Sequence, residues 1–185
     1  ICRHLLNNVD GIVDEHSAHD AFKLAVLKRQ ITEGHAIANH SLSHNFNLLY
    51  PGRVPNQSQI VSEVNQTMAN FQAILGKDFK TRIFRYPGGH MSWQGLESTD
   101  QALAKEGVQW IDWNMLCGDA EPASVRPTTS ESMMAYLDGS QKYFPESHVK
   151  VVLMHDTAGK ELTVQTLPQI IEYFKDQGYT FGVLE

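Results

Sequence analysis

The sequence predicts an α/β fold with parallel strands, and three observations carry that prediction. Short apolar runs alternate repeatedly with amphipathic helical segments. No hairpin signal separates the runs, so strands are expected to pair in parallel through helical crossovers. The 185 residues, 42% of them hydrophobic, suffice for one domain, residues 1–185, with a sizeable core.

Taken in order, Asn7-Asn8-Val9-Asp10-Gly11 signals a turn. Asp20 to Thr32 follows as a helix, with Ala21, Leu24, Ala25, Leu27 and Ile31 near helical spacing and Gly34 as its stop. His35-Ala36-Ile37-Ala38 reads as a short buried strand. Asn45 to Gln57 reads as a loop holding Pro51, Gly52 and Pro55. Ser58 is the expected N-cap of a long helix to Leu75, with Ile60, Val61, Val64, Met68, Phe71 and Leu75 on its apolar face and Gly76 closing it. Thr81 to Arg85 is the next expected strand, ended by Tyr86-Pro87-Gly88-Gly89. A short helix over Thr99–Glu106 stops at Gly107, and Val108 to Trp113 is a strand. A weaker helix over Thr128–Lys142, a strand over Val149–Met154, a helix over Leu162–Gln177 with Gly178 behind it and a last strand over Tyr179–Leu184 complete the pattern.

Composition excludes several functions. The net charge is -6 and no Lys/Arg cluster tracks a phosphate backbone, so no nucleic-acid partner is expected. Cys2 and Cys117 form neither a CxxC pair nor a disulfide framework. No apolar run reaches the length of a membrane span and no signal peptide is visible. The chain opens on Ile1 rather than Met, which reads as a processed or truncated piece.

Chemistry in parallel α/β folds collects at the C-terminal ends of strands. Those ends hold His40 and His44, then Arg85 with Pro87-Gly88-Gly89, then Asp112, Trp113 and Asp119, then His155 and Asp156. The four-residue spacing of His40 and His44 would put both imidazoles on one side of a helical turn, in reach of one metal ion. Taken singly, His155 also reads as a cap on a buried strand and Arg85 as a surface ion pair. Trp110 and Trp113 read as core or groove wall, Met133-Met134 as helix core, and His35, His90 and His148 as structural or exposed. Cys117 has no neighbour in sequence that would make it a nucleophile.

The ordered motifs His40-Ser41-Leu42-Ser43-His44, Arg85-Tyr86-Pro87-Gly88-Gly89, Ile111-Asp112-Trp113-Asn114 with Gly118-Asp119-Ala120, and Val152-Leu153-Met154-His155-Asp156 resemble those of the polysaccharide deacetylases. These are the NodB-homology enzymes of carbohydrate esterase family 4. The match runs from about Phe22 to Glu185 and looks most like the peptidoglycan N-acetylglucosamine deacetylases of Gram-positive bacteria. The resemblance implies a distorted (β/α) barrel of the NodB-homology type, lacking its first strand in this chain. It implies a glycan substrate, a bacterial cell-surface or extracellular location, and Zn2+ as cofactor, with Co2+ or Mn2+ as other divalent ions. It assigns His40 and His44 to the metal, Arg85 to orienting the catalytic base, and Asp119 to holding that arginine, with Asp112 as second candidate. His155 matches the catalytic acid and Leu153 the acetyl-methyl pocket. Gly88 falls where the family commonly has a Tyr whose backbone N–H binds the oxyanion. Tyr86, Gly88 and Trp113 are implied on the substrate side.

Amide hydrolysis needs an activated water, a stabilised oxyanion and a proton for the departing amine. A zinc ion and an aimed backbone N–H meet the first two needs, and a histidine titrating near neutrality meets the third. The family's Asp-Asp pair, its base and third metal ligand, occurs nowhere in the sequence; Asp10 and Asp14 precede the histidines, but Asp10 lies in a turn-like run without a preceding apolar strand, and neither is expected to replace the pair. The expectation is that the pair lies on an upstream or companion fragment and that this chain alone is inactive. Two alternatives stand beside the metal-dependent de-N-acetylase: a non-catalytic carbohydrate-binding domain of the same fold, and a deacetylase acting on chitin or a xylan ester.

Overall fold

The computed structural model describes residues 4–6 and 18–184, with side chains from residue 24 onward. The turn expected at Asn7–Gly11, and with it Asp10, Asp14 and Cys2, lies outside the described residues. The chain forms two compact units, one running to Asp112 and one comprising Trp113–Gly182.

The first unit is a parallel sheet in sequential order β1 (His4–Leu6), β2 (Ile37–Asn39), β3 (Ile83–Phe84) and β4 (Gln109–Trp110). Leu5 stands opposite Ala38, Asn39 opposite Phe84, and Phe84 opposite Trp110. The connections hold α1 (Ala18–Thr32), α2 (Phe46–Leu49), α3 (Gln57–Leu75) and α4 (Glu97–Lys105). Leu49, Ile60, Val64, Phe84, Tyr86, Leu96 and Leu103 form one core cluster, and Leu27, Ile37 and Phe71 a second.

The expected parallel α/β plan is present, with local corrections. The N-cap of α3 is Asn56, whose side chain accepts the Gln59 N–H, while the expected cap Ser58 donates its hydroxyl to Asn56. The expected loop at Asn45–Gln57 contains α2, because Asn45 caps it by accepting the Asn47 N–H. The strand expected over Val108–Trp113 narrows to β4, and Trp110 is exposed there, stacked at 3.8 Å on His90.

The second unit pairs β5 (Met115–Leu116) with β6 (Val152–Leu153) in parallel, Met115 opposite Val152 and Leu116 opposite Leu153. Helices α5 (Ser130–Ser140) and α6 (Glu161–Asp176) cover a core of Met115, Cys117, Met133, Leu137, Val152, Ile170 and Phe174. Strand β5 was missed because its two residues follow Asn114, whose side chain replaces ladder bonds by donating to the Val149 carbonyl and accepting the Val151 N–H.

The helix stops at Gly34, Gly107 and Gly178 are as expected, and all three share one geometry. Each glycine sits at positive φ, its N–H turns back three residues and the next N–H turns back five, which meets the last carbonyls of the helix. After Gly178 the Tyr179 N–H goes to Phe174 in this way, and residues 179–184 continue as irregular chain rather than the expected strand.

Candidate active site

His40 follows β2 directly and is 4% exposed. Its Nδ1 lies 2.6 Å from the Arg85 carbonyl oxygen. A carbonyl only accepts, so Nδ1 carries the hydrogen and the neutral ring keeps its lone pair on Nε2. The His40 and His44 ring centroids are 5.0 Å apart with the planes at 72°. With a Zn–N bond of ~2.0–2.1 Å and a ring centroid roughly 1.1 Å behind its nitrogen, two imidazoles at the tetrahedral angle stand about 5.2 Å apart. The separation of the two rings therefore matches that of two ligands of one tetrahedral ion. Among the described residues no group of three His, Cys, Asp or Glu could hold a metal ion.

The physical reason for that fit is not the helical turn that the spacing suggested. Residues 40–45 are not helical, and Ser41 and His44 have φ of 70° and 50°. The loop is fixed by side chains instead. Ser41 Oγ accepts the His44 N–H at 3.0 Å, Asn39 Oδ1 accepts the Ser41 N–H at 3.1 Å, and Asn39 Nδ2 donates to the Val64 carbonyl at 2.9 Å. Buried Glu63 of α3 takes the N–H groups of Leu42 and Ser43. Glu63 was missed by sequence reasoning, although an acid inside the stripe Ile60, Val64, Thr67, Phe71 was a signal.

Arg85 follows β3 and offers its main chain: the carbonyl to His40 and the N–H to the Asn39 carbonyl at 2.9 Å. Tyr86, expected on the substrate side, is instead fully buried in the core, its hydroxyl donating to Asp100 Oδ1 at 2.8 Å. A ring with no exposed surface and a committed hydroxyl packs the protein rather than a glycan. Gly88 has a φ of 82°, and a Cβ there would stand 3.2 Å from Trp93 Cζ2 and 3.4 Å from Phe46 Cζ. Phe46 in turn lies 5.3 Å from the His44 ring. Asp112 accepts the N–H groups of His90 and Met91 at 3.0 Å each, so the second candidate for the arginine's acid is engaged with the turn after Gly89.

In the second unit, Asp119 follows β5 and is 4% exposed. Its Oδ1 lies 2.9 Å from His155 Nδ1, and its Oδ2 accepts the His155 N–H at 2.7 Å and the Thr163 hydroxyl at 3.1 Å. Lys160 donates to the Asp119 carbonyl. Burial alone would raise the Asp119 pKa, but the hydrogen bonds and charge attraction from His155, helped by Thr163, outweigh it and hold the carboxyl below its usual value. An ionised carboxylate accepts, so His155 Nδ1 carries hydrogen. The resemblance assigned Asp119 to Arg85; the hydrogen bonds described for its carboxylate are those with His155 and Thr163. Leu153 is 9% exposed within β6, and Trp113 is half-buried. The Cys117 thiol is fully buried and pushed up to about 12, first by burial and then by Asp119, which suits an inert residue.

A polysaccharide deacetylase family profile matches residues 8–109. A Bacillus subtilis protein named as a polysaccharide deacetylase, YheN, is 33% identical over 165 residues, covering 89% of this chain and 53% of that protein. A peptidoglycan-N-acetylglucosamine deacetylase of Bacillus cereus is 27% identical over 157 residues, covering 84% of this chain and 52% of its own length. The chain thus spans about half the length of these relatives. Among solved structures, a Streptococcus mutans CE4 esterase is 57% identical with a TM-score of 0.86, covering 88% of this chain and 68% of that one. The catalytic domain of a Eubacterium rectale peptidoglycan N-acetylglucosamine deacetylase is 25% identical with a TM-score of 0.70, covering 98% and 74%. The fold is that of these carbohydrate esterase family 4 structures, as the resemblance implied.

Proposed function

Because the chain belongs to the polysaccharide deacetylase family, we propose that it serves a metal-dependent hydrolase that removes N-acetyl groups from N-acetylglucosamine residues of peptidoglycan or a related glycan. The observation that carries the reading is the histidine pair 5.0 Å apart with His40 held in one tautomer. His40 and His44 would hold the ion, zinc or in its place cobalt or manganese, and a third ligand and the base would come from outside the described residues. When bound, the ion supplies Lewis acidity toward the acetyl carbonyl and the attacking water.

The remaining chemistry belongs to side chains and main chain. His155 gives a proton from Nε2 to the departing amine, with Asp119 fixing the ring through Nδ1 and balancing its charge. The Gly88 N–H serves the developing oxyanion, and Leu153 lines the space for the acetyl methyl. The substrate class carries a bacterial cell-surface location with it.

The test is acetate release from N-acetylglucosamine oligomers by the full-length protein, with and without a chelator and with zinc restored. Release that the chelator abolishes and zinc restores supports the proposal. Glycan binding without any release in the presence of zinc refutes it in favour of a carbohydrate-binding domain.

A further inference from the structure

We propose that Glu63 is a positioning residue that pre-forms the His40–His44 loop for a divalent cation, a proposal that rests on the reading of that pair as metal ligands. Glu63 is 2% exposed and lies on the buried face of α3 beside Ile60 and Val64. A carboxylate is placed there at a cost unless donors meet it. Four do. The Leu42 N–H reaches Oε2 at 3.1 Å and the Ser43 N–H reaches the same oxygen at 2.9 Å. The Ser43 hydroxyl donates to Oε1 at 2.7 Å, and Gln59, one turn earlier on α3, donates to Oε1 at 3.0 Å.

Three of these donors come from the two residues midway between the ligands. That segment needs them. Ser41 and His44 both take left-handed backbone conformations that residues other than glycine adopt at a cost, and such strain persists only where the surroundings over-determine it. The loop has neither helix nor sheet to satisfy its N–H groups, so without Glu63 those of Leu42 and Ser43 would lose their partner. One side chain of the rigid α3 therefore fixes the segment whose ends carry both imidazoles. Gln59 fixes Glu63 in turn. The ligand separation is thus set before any ion arrives, and the ion does not have to order the loop.

The test compares zinc affinity, by competition with a chromogenic chelator, and amide hydrogen exchange over residues 40–45 in the full-length protein. The variants are Glu63→Gln, Glu63→Ala and Ser43→Ala, with Ile60→Val as a control that loosens the same helix without touching the loop. Outer-shell partners typically govern metal affinity by about 10–100-fold, so Glu63→Ala should weaken zinc by that factor, and Glu63→Gln, which keeps an acceptor, by less. Both should speed exchange at Leu42 and Ser43. Ile60→Val should lower the melting temperature and leave zinc affinity unchanged. Zinc affinity within about threefold of the parent in both Glu63 variants, against that 10–100-fold scale, would overturn the proposal. A loss of affinity in Ile60→Val equal to that in Glu63→Gln would overturn it as well, because the effect would then be one of general stability. If the parent itself binds no zinc, the metal reading of the histidine pair fails, and unchanged exchange over 40–45 in Glu63→Gln would separately refute the loop-holding role.

Discussion

Asp119→Asn tests the proposal that His155 is the proton donor. The native carboxylate accepts three hydrogen bonds, at 2.9 Å from His155 Nδ1, 2.7 Å from the His155 N–H and 3.1 Å from Thr163. An asparagine offers one accepting oxygen and one donating NH2. If its oxygen keeps the main-chain N–H and Thr163, the NH2 faces Nδ1 and forces that nitrogen to accept. The ring's hydrogen then sits on Nε2, and protonating the ring sets two donors against each other. If the amide flips, its NH2 meets the His155 main-chain N–H instead. Either arrangement removes a charge-assisted bond of about 1.5–3 kcal/mol and impairs a general acid whose typical contribution is about 10²–10⁴-fold. The expected loss in kcat/KM is of that size; the corresponding change in a Ser-His-Asp protease costs about 10⁴-fold in kcat through the wrong tautomer. Thr163→Val, which deletes one neutral donor worth about 1 kcal/mol, should cost only about fivefold. The assay is acetate release across the pH range, with circular dichroism to verify folding. A folded Asp119→Asn protein that retains kcat/KM within about threefold, well short of the 10²–10⁴ expected of a general acid, would show that the amine receives its proton from another group.

Three further outcomes follow from particular contacts. Gly118→Ala should destabilise by about 2–4 kcal/mol in urea denaturation, since its φ is 81° and a Cβ there would stand 2.8 Å from Tyr136 Cγ and 3.0 Å from Pro127 Cδ; a loss under about 1 kcal/mol would contradict the crowding argument. Gly88→Ala faces the same backbone problem and presses on Trp93 and Phe46, so it should lower kcat/KM for acetate release even with zinc saturating, and an unchanged value would remove Gly88 from the site. Glu63 and Asp119 are both held below their ordinary values of 4.5 and 3.8. A carboxyl with a lowered folded pKa contributes stability that is complete above its ordinary value and is lost as pH falls through the folded one. Melting temperatures should therefore be insensitive to these two groups above pH 4.5 and fall below it, less steeply in Glu63→Gln and Asp119→Asn; parallel acid slopes in parent and variants would refute the linkage.

What was legible in the sequence was local. Gly34, Gly107 and Gly178 marked helix ends because a left-handed residue after the last turn is a requirement that one position meets by itself. The strands shrank to two or three residues because ladder pairing depends on a distant partner, and an apolar run such as Val149–Met154 does not state where that partner begins and ends. The same limit governed the site. His40 and His44 were visible as a spaced pair, but the spacing suggested a helical turn, whereas Asn39, Ser41 and Glu63 impose a strained loop. Asp119 and His155 are 36 residues apart, and no pattern within either motif says that the acid bonds the histidine. Tyr86 stood inside a functional motif and proved to be core, because the chain direction at the end of β3 turns its ring inward against Phe84 and Asp100.

His40 and His155 are set apart by what accepts from Nδ1. For His40 the acceptor is the neutral Arg85 carbonyl, which fixes the tautomer without rewarding a positive charge on the ring. A ring of that kind suits a metal ligand, which must offer an unprotonated nitrogen. For His155 the acceptor is the Asp119 carboxylate, held ionised against its burial by the donors around it. A charged acceptor of that kind suits the proton donor proposed for His155. The residue type is the same and the ring nitrogen engaged is the same. The proposed division of labour rests on the charge of the acceptor, and each acceptor is supplied by the chain just beyond a strand end, Arg85 after β3 and Asp119 after β5.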